Sequence, residues 1–74
     1  MTLIDLALNT EATIKQIRAT HFQVNKLYAL GIYIDAVILK RHHLAGKGPI
    51  VICTQQQCSF AIGHDLAANI EVAV

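Results

Sequence analysis

Residue types that bind zinc or iron in proteins occur in the second half of the chain at His42, His43, Cys53, Cys58 and His64. The cysteines flank the segment TQQQ, so a hairpin would place them on facing strands. Their C-x4-C spacing is wider than the tight knuckle of most structural zinc sites. Adjacent histidines on a strand point to opposite faces and do not easily chelate one ion. Cys53 and Cys58 are therefore only candidate metal ligands, since a cysteine in an apolar strand usually packs as a small hydrophobic residue.

The segment HLAGKGPI places a lysine between two glycines, so a phosphate-binding loop is one function to test. Such a loop needs G-x-x-x-x-G-K followed by Ser or Thr, and it must lie between a strand and a helix. Here Lys47 is followed by Gly48 and Pro49, and the next segment is strand-like. Glycine and proline between two apolar runs are ordinary turn residues. We therefore predict that this segment is the tip of a hairpin.

Lys40, Arg41 and Lys47 form a basic cluster with the histidines beside them. A solvated hairpin end is the ordinary interpretation, and contact with an acidic protein or with nucleic acid is the functional one. No aromatic residue alternates with these cations to form the stacking platform of single-strand binders. The formal net charge of +1 also gives no general attraction to nucleic acid.

The sequence contains no arrangement typical of catalysis. No Ser-His-Asp or Cys-His set has the order or spacing of a nucleophile and its base. The five carboxylates include no evident acid and base pair. We predict that the protein is not an enzyme and needs no cofactor.

The composition indicates one small domain, which we predict to span residues 1–74. The chain is 54% hydrophobic, yet a domain of this size buries only about 60% of the surface that its unfolded form exposes. No apolar run approaches the ~18 residues of a membrane span. The N-terminal region also lacks the basic and apolar segments of a signal peptide. We expect a cytoplasmic protein whose cysteines stay reduced.

The clearest local signal is the segment THFQVNKLYALGI, which predicts a helix over about residues 21–30. Thr20 and Gln23 have the spacing of a capping box, in which each side chain binds the other residue's backbone amide. Val24 and Leu27 then follow at helical spacing.

The predicted helix also has a stop signal. Gly31 can adopt the left-handed conformation that ends a helix, and Ile32 can then fold back onto Leu27. Tyr28 and Tyr33 bracket this end. We expect Tyr28 to pack on the rest of the domain and Tyr33 to stay partly exposed, as aromatic residues of interfaces do.

Short strands account for most of the remaining sequence. Ile14 and Ile17 are three residues apart, which breaks strict alternation and predicts a bulge or a strong twist near Lys15 and Gln16. A helical turn is predicted over about residues 65–68, capped by Asp65. One helix and five strands favour a mainly β fold, a small closed barrel. The strand segments are EATIKQIRA, DAVILKRHH, PIVICT, CSFAI and NIEVAV.

In their order and spacing, four segments resemble the FeoA family, the small cytosolic proteins of bacterial ferrous iron transport. They are TLIDLALNTEATI, KLYALGIYIDAVILKR, GPIVI and FAIGHDLAANIEV. The resemblance extends from Thr2 to Val72. Its most specific parts are residues 27–32, which match the family's leucine-x-x-leucine-glycine helix end, and residues 49–72. The resemblance implies a five-stranded SH3-like barrel that works by binding.

The chain departs from the family pattern at its turns. Family members usually carry Pro-Gly where this chain has Leu8-Asn9, and again where it has Ile34-Asp35. Asn and Asp are the non-glycine residues that best tolerate a positive φ, so we expect both turns to persist. The family's Pro-Leu-Gly-Asp-Pro hairpin is replaced by HLAGKGP, which is slightly longer and basic.

The partner implied by the resemblance is FeoB, a membrane permease with a cytosolic GTP-binding domain. The protein would modulate FeoB without entering the membrane or binding nucleic acid. We expect the binding surface to combine the helix end with the basic hairpin. Its candidate residues are Leu30, Tyr33, Lys40, Arg41, His43 and Lys47. A metal-binding or iron-sensing protein and a small nucleic-acid-binding barrel are the alternatives.

Overall fold

The structure is a computed structural model that describes residues 1–74. Strands dominate, and both helices are short. Neither helix is long and apolar enough to span a membrane. In chain order the elements are β1 (Thr10–Ile17), α1 (His21–Ala29), β2 (Val37–His43), β3 (Ile50–Thr54), β4 (Ser59–Ile62), α2 (His64–Ala67) and β5 (Ile70–Ala73).

The strands form one antiparallel sheet in the order β4-β3-β2-β1-β5. This sheet is the SH3-like barrel predicted from the sequence. The edge strands β4 and β5 do not pair with each other, so no hydrogen-bond ladder joins the two ends of the sheet. Each edge strand has only four residues, and the outer edge of β5 has another partner.

That partner is the N-terminal segment, which the sequence patterns did not identify as structured. The Val72 amide donates to the Met1 carbonyl at 2.9 Å, and the Leu3 amide donates to the Ile70 carbonyl at 3.1 Å. Leu3 and Leu6 are both buried in the core. The segment therefore covers one edge of the sheet and part of the barrel interior.

Two bulges bend the sheet. The β1–β5 register shifts between Ile14 and Gln16, which confirms the predicted bulge. A second shift lies in β2, where Lys40 pairs with Ile52 but His42 pairs with Val51. The residue between them is therefore the extra residue of the bulged strand.

The start of α1 is the predicted capping box. The Thr20 hydroxyl accepts from the Gln23 amide at 3.2 Å, and the Thr20 amide donates to Gln23 Oε1 at 3.1 Å. Each bond satisfies an amide that the helix itself leaves free.

The end of α1 follows the predicted stop signal. Gly31 has a φ of 90°. The Ile32 amide donates to the Leu27 carbonyl at 2.9 Å and the Gly31 amide to the Tyr28 carbonyl at 3.0 Å. This pair of bonds is the Schellman motif, and it returns Ile32 into the core beside Leu27.

The core is a single cluster of fourteen buried apolar residues. Leu27 and Ile62, both predicted to be buried from their apolar faces, belong to it. The whole cluster consists of Leu3, Leu6, Ala12, Ile14, Leu27, Ile32, Ala36, Ile38, Ile50, Ile52, Ile62, Ala67, Ile70 and Val72.

The turns at the departures from the family pattern persist, as predicted. Asn9 and Asp35 have φ values of 60° and 75°, in the left-handed region that Asn and Asp tolerate best among non-glycine residues. The segment over residues 44–48 is a hairpin tip that leads into β3, also as predicted, and the Leu44 amide donates to the Pro49 carbonyl across it at 3.1 Å.

The second helix differs from the prediction at its start. It begins at His64, and its N-cap is Gly63, which offers no side chain for a hydrogen bond. Asp65 therefore lies inside the first turn and is not the cap. Its carboxylate still lies near the N-terminal amides of the helix, where negative charge is favourable.

Candidate partner-binding surface

An apolar groove lies between the end of α1 and the β3–β4 hairpin. It encloses about 410 Å³. None of its lining side chains is charged, and three of them are aromatic. We call this feature the apolar groove. Its lining residues are Tyr28, Ala29, Leu30, Gly31, Tyr33, Gln56, Cys58 and Phe60.

Gly31 allows the two walls of the groove to approach each other. A Cβ atom at this position would lie 3.1 Å from Gln56 Oε1, in addition to the strain of its positive φ. The helix end and the β3–β4 turn therefore meet at a residue without a side chain.

Two tyrosines form the outer rim of the groove. The ring centroids of Tyr28 and Tyr33 lie 5.2 Å apart, a separation typical of stabilising aromatic pairs. Tyr33 is 39% exposed, as expected, but Tyr28 is 66% exposed, so its predicted packing on the barrel was wrong. Leu27 is the only buried residue of α1. The next residue projects about 100° further around the helix, towards the groove.

Lys40 does not belong to any surface, so its prediction as a partner-binding residue was wrong. Only 1% of the residue is exposed. Its Nζ donates to the carbonyls of Leu3 at 2.7 Å and Ile4 at 3.0 Å. Strand alternation gives the reason, because Lys40 lies two residues after the buried Ile38 and so points to the same face. The ammonium fastens the N-terminal segment to the barrel.

This burial changes the acid–base behaviour of the lysine. Desolvation lowers the pKa of the Lys40 ammonium below its usual value of 10.5, and attraction to Asp5 opposes part of that change. At pH values between the lowered pKa of the folded protein and 10.5, Lys40 holds a proton in the unfolded chain that it has lost in the folded chain. The free energy of unfolding therefore rises with pH through this window.

We expect this effect to appear when the wild type is compared with Lys40→Met, which cannot titrate. The wild-type minus variant difference in unfolding free energy should increase as the pH rises from 7 towards 10.5. Urea unfolding followed by circular dichroism measures it, and the titration of the other groups largely cancels in the difference. A difference that stays flat or decreases with pH would contradict the lowered pKa.

Arg41 lies on the opposite side of the sheet from the core, in a second cavity. This cavity encloses about 530 Å³ over the outer face of β1 to β4. Glu11 and Cys53 also line it, together with several polar residues of the β3–β4 hairpin. Arg41 therefore shares no surface with the apolar groove.

The basic hairpin lies at the far end of β2 from the groove. Lys47 is exposed at the hairpin tip, whereas Tyr33 precedes the start of β2. Seven residues of strand extend about 23 Å, nearly the length of the molecule, whose largest extent is 28 Å. His43 is half-buried at the hairpin end, with its ring centroid 6.4 Å from that of His64. The predicted surface is thus divided between two ends of the barrel.

The cysteines do not face each other, contrary to the sequence interpretation. The strand partner of Cys53 is Ser59, and Cys53 lines the outer cavity whereas Cys58 lines the apolar groove. No three His, Cys, Asp or Glu side chains come together in an arrangement that would hold a metal ion. The strand register explains the separation, because Cys58 lies one position before Ser59, the residue that pairs with Cys53.

Sequence reasoning identified one wall of the groove and missed the other. Leu30 and Tyr33 were predicted from the helix stop, but Phe60 and Gln56 were not. The alternation of the segment SFAI could have identified Phe60, because it puts Phe60 on the same face as the buried Ile62.

Comparison with solved structures gives matches over nearly the whole chain. A crystal structure of an iron uptake regulatory protein, FeoA, is 26% identical, with a TM-score of 0.84 over 97% of this chain and 93% of the other. The FeoA protein from Chlorobium tepidum is 19% identical, with a TM-score of 0.89 over 100% of this chain and 70% of the other. Iron(II) transport protein A from Clostridium thermocellum is 24% identical, with a TM-score of 0.88 over 100% of this chain and 45% of the other.

No curated protein matches the sequence. The family comparison is nevertheless direct, because the model of the FeoA domain matches residues 1–74. Together with the SH3-like barrel, this match gives the conclusion that the chain belongs to the FeoA domain family, whose members have an accessory role in ferrous iron transport.

Proposed function

We propose that this protein is a cytosolic interaction module that binds the GTP-binding domain of a FeoB permease and modulates ferrous iron uptake. The observation that carries the proposal is the apolar groove with its exposed aromatic rim. Exposed apolar side chains that cluster on a small domain are characteristic of interaction sites. Membership of the FeoA family supports FeoB as the partner.

The groove has the composition of an interface centre. Aromatic residues are enriched at the centres of interfaces and charged residues are depleted there, and the groove is lined by Tyr28, Tyr33 and Phe60 with no charged side chain. The tyrosine pair loses little conformational freedom on binding, because each ring already packs against the other. Tyrosine is also among the residues that most often dominate binding energy.

The basic hairpin is proposed as a second, electrostatic contact. Arg41 and Lys47 are exposed and His43 is half-buried, and such rim groups mainly change association rate and salt dependence. Because the hairpin tip lies about 23 Å from the groove, a partner must cover most of one side of the barrel to reach both. A folded GTP-binding domain has the width to span that distance.

We expect Tyr33→Ala to weaken binding of the FeoB GTP-binding domain about 30-fold, corresponding to the roughly 2 kcal/mol of a hot-spot residue. Isothermal titration calorimetry with the FeoB domain of the same organism measures the affinity. Amide NMR shifts of labelled protein should cluster at residues 28–35 and 56–60. Additional shifts at residues 41–48 would mark the second contact.

Phe22→Ala is the matched control. Phe22 is an aromatic residue of α1 that is 73% exposed and does not line the groove, so its loss should change the affinity by less than about twofold. Equal losses in the two variants would contradict the groove as the binding surface. Absence of binding by the wild type would contradict FeoB as the partner.

A further inference from the structure

The outer edge of β4 has free backbone hydrogen-bonding groups. In an antiparallel ladder, residues that bond to the neighbouring strand alternate with residues whose amide and carbonyl point away from it. The Thr54 amide donates to the Cys58 carbonyl at 2.9 Å, which fixes the alternation. Ser59 and Ala61 pair with β3 residues at the positions that do not exchange hydrogen bonds.

The amides and carbonyls of Ser59 and Ala61 therefore point away from β3, towards the edge of the sheet. No turn, loop or side-chain hydrogen bond of the chain uses them, and both residues are exposed. The result is two donors and two acceptors, repeated at about 6.8 Å along the strand. This is the pattern that an added strand satisfies.

Apart from its short length of four residues, the edge of β4 lacks the features that normally prevent strand addition. Its sequence, SFAI, contains no proline and no charged residue. Its register with β3 runs without a bulge, unlike the registers of the β1–β5 and β2–β3 ladders. Soluble proteins usually protect an exposed edge with lysine, proline or a bulge, and here the opposite edge of the sheet is covered by the N-terminal segment.

The free edge also adjoins the apolar groove. Phe60 lies on β4 and Cys58 immediately before it, and both line the groove. A strand placed beside β4 would point alternate side chains to the inner side of the sheet, where Phe60 and the helix end lie. The other side chains would lie beside Ser59 and Ala61, which are small.

We propose that the partner contributes an extended segment that adds to the edge of β4 as a further strand, with uncharged apolar side chains at alternate positions entering the apolar groove. The inference rests on the proposed function, because it specifies how the partner occupies the same surface. Main-chain hydrogen bonds give affinity in this mode, and the groove selects the side chains. The uncharged lining of the groove excludes an acidic or basic residue at those positions.

The test removes one backbone donor without changing the groove. Ala61→Pro deletes an amide that the fold does not use, and its ring occupies the free edge. It should weaken binding of the FeoB GTP-binding domain about tenfold or more, whereas Ala61→Val, which keeps the amide, should change it less than about twofold. Thermal unfolding checks that both variants fold.

A chemical variant avoids the risk that proline disturbs the strand. Ligation of residues 1–57 to a synthetic 58–74 segment that begins with Cys58 introduces N-methylalanine at position 61. This variant should lose affinity as proline does. In the wild-type complex, hydrogen exchange of the Ser59 and Ala61 amides should also slow by about tenfold or more, because both become bonded.

The outcomes separate the two proposals. If the wild type binds and the N-methyl variant binds equally well, or if the two amides exchange as fast as in the free protein, strand addition is wrong and the interaction stands. If the wild type does not bind, the proposed function fails, and the inference that depends on it fails as well.

Discussion

Replacement of Lys40 by alanine is expected to lower the free energy of unfolding by about 2–5 kcal/mol. The change leaves the carbonyls of Leu3 and Ile4 without their donor. An unsatisfied buried group costs about 1–3 kcal/mol, which applies in full to Leu3 and in part to the half-buried Ile4. It also removes an aliphatic stem from a fully buried position. Relief from the desolvation of the ammonium offsets part of this loss. A domain of 74 residues has about 4–11 kcal/mol in total, so the variant should be marginally stable.

Urea unfolding followed by circular dichroism measures the change, and Lys47→Ala is the matched control. Lys47 is exposed at the hairpin tip, so its loss should change stability by less than about 0.5 kcal/mol. Hydrogen exchange adds a local measurement, because the amides of Leu3 and Val72 should lose protection first in the Lys40 variant. Equal midpoints for the two lysine variants would show that Lys40 does not fasten the N-terminal segment.

Structural features that depend on residues close together in the chain were predictable from the sequence. The capping box of Thr20 and Gln23 depends on two side chains three residues apart, and the stop at Gly31 depends on a backbone conformation that glycine adopts without cost. The same holds for the turns at Asn9 and Asp35. In each case the residue type determines the local backbone geometry, so no knowledge of distant contacts is needed.

Features that depend on distant partners were not predictable in this way. Lys40 and the carbonyl of Leu3 are separated by 37 positions in sequence, and a lysine among basic residues favours an exposed interpretation until strand alternation is applied. The sequence also gave no indication that Met1 pairs with β5. Without that pairing, a closed barrel is the simplest way to protect the two edges of the sheet.

The residues of the candidate site also divide into those predictable from local sequence and those that depend on distant contacts. Leu30 and Tyr33 follow from the helix stop, which is local. The opposite wall comes from Gln56 and Phe60, and only the sheet order and register bring the β3–β4 hairpin to the helix end. The basic residues were grouped because they are close in sequence. The length of β2 separates the hairpin tip from the helix end in space, and alternation along that strand buries Lys40 and exposes Arg41.

Leu27→Ala is expected to lower the free energy of unfolding by about 2–5 kcal/mol and to abolish binding through the groove. Leu27 is the only buried residue of α1, so the helix has no other core anchor. Its carbonyl also accepts from the amides of Leu30 and Ile32, at 3.0 and 2.9 Å. Loss of the side chain therefore loosens the helix end that carries one wall of the groove.

Val24→Ala is the matched control for this prediction, because Val24 is half-buried on the same helix. It should cost about 1 kcal/mol and leave the groove intact. Chemical unfolding gives both stabilities, and NMR gives the local effect through the shifts of Tyr28 and Tyr33. If Leu27→Ala unfolds at the same urea concentration as the wild type and retains its affinity for the FeoB domain, then α1 is held by contacts other than this one. The groove would in that case not depend on the helix anchor.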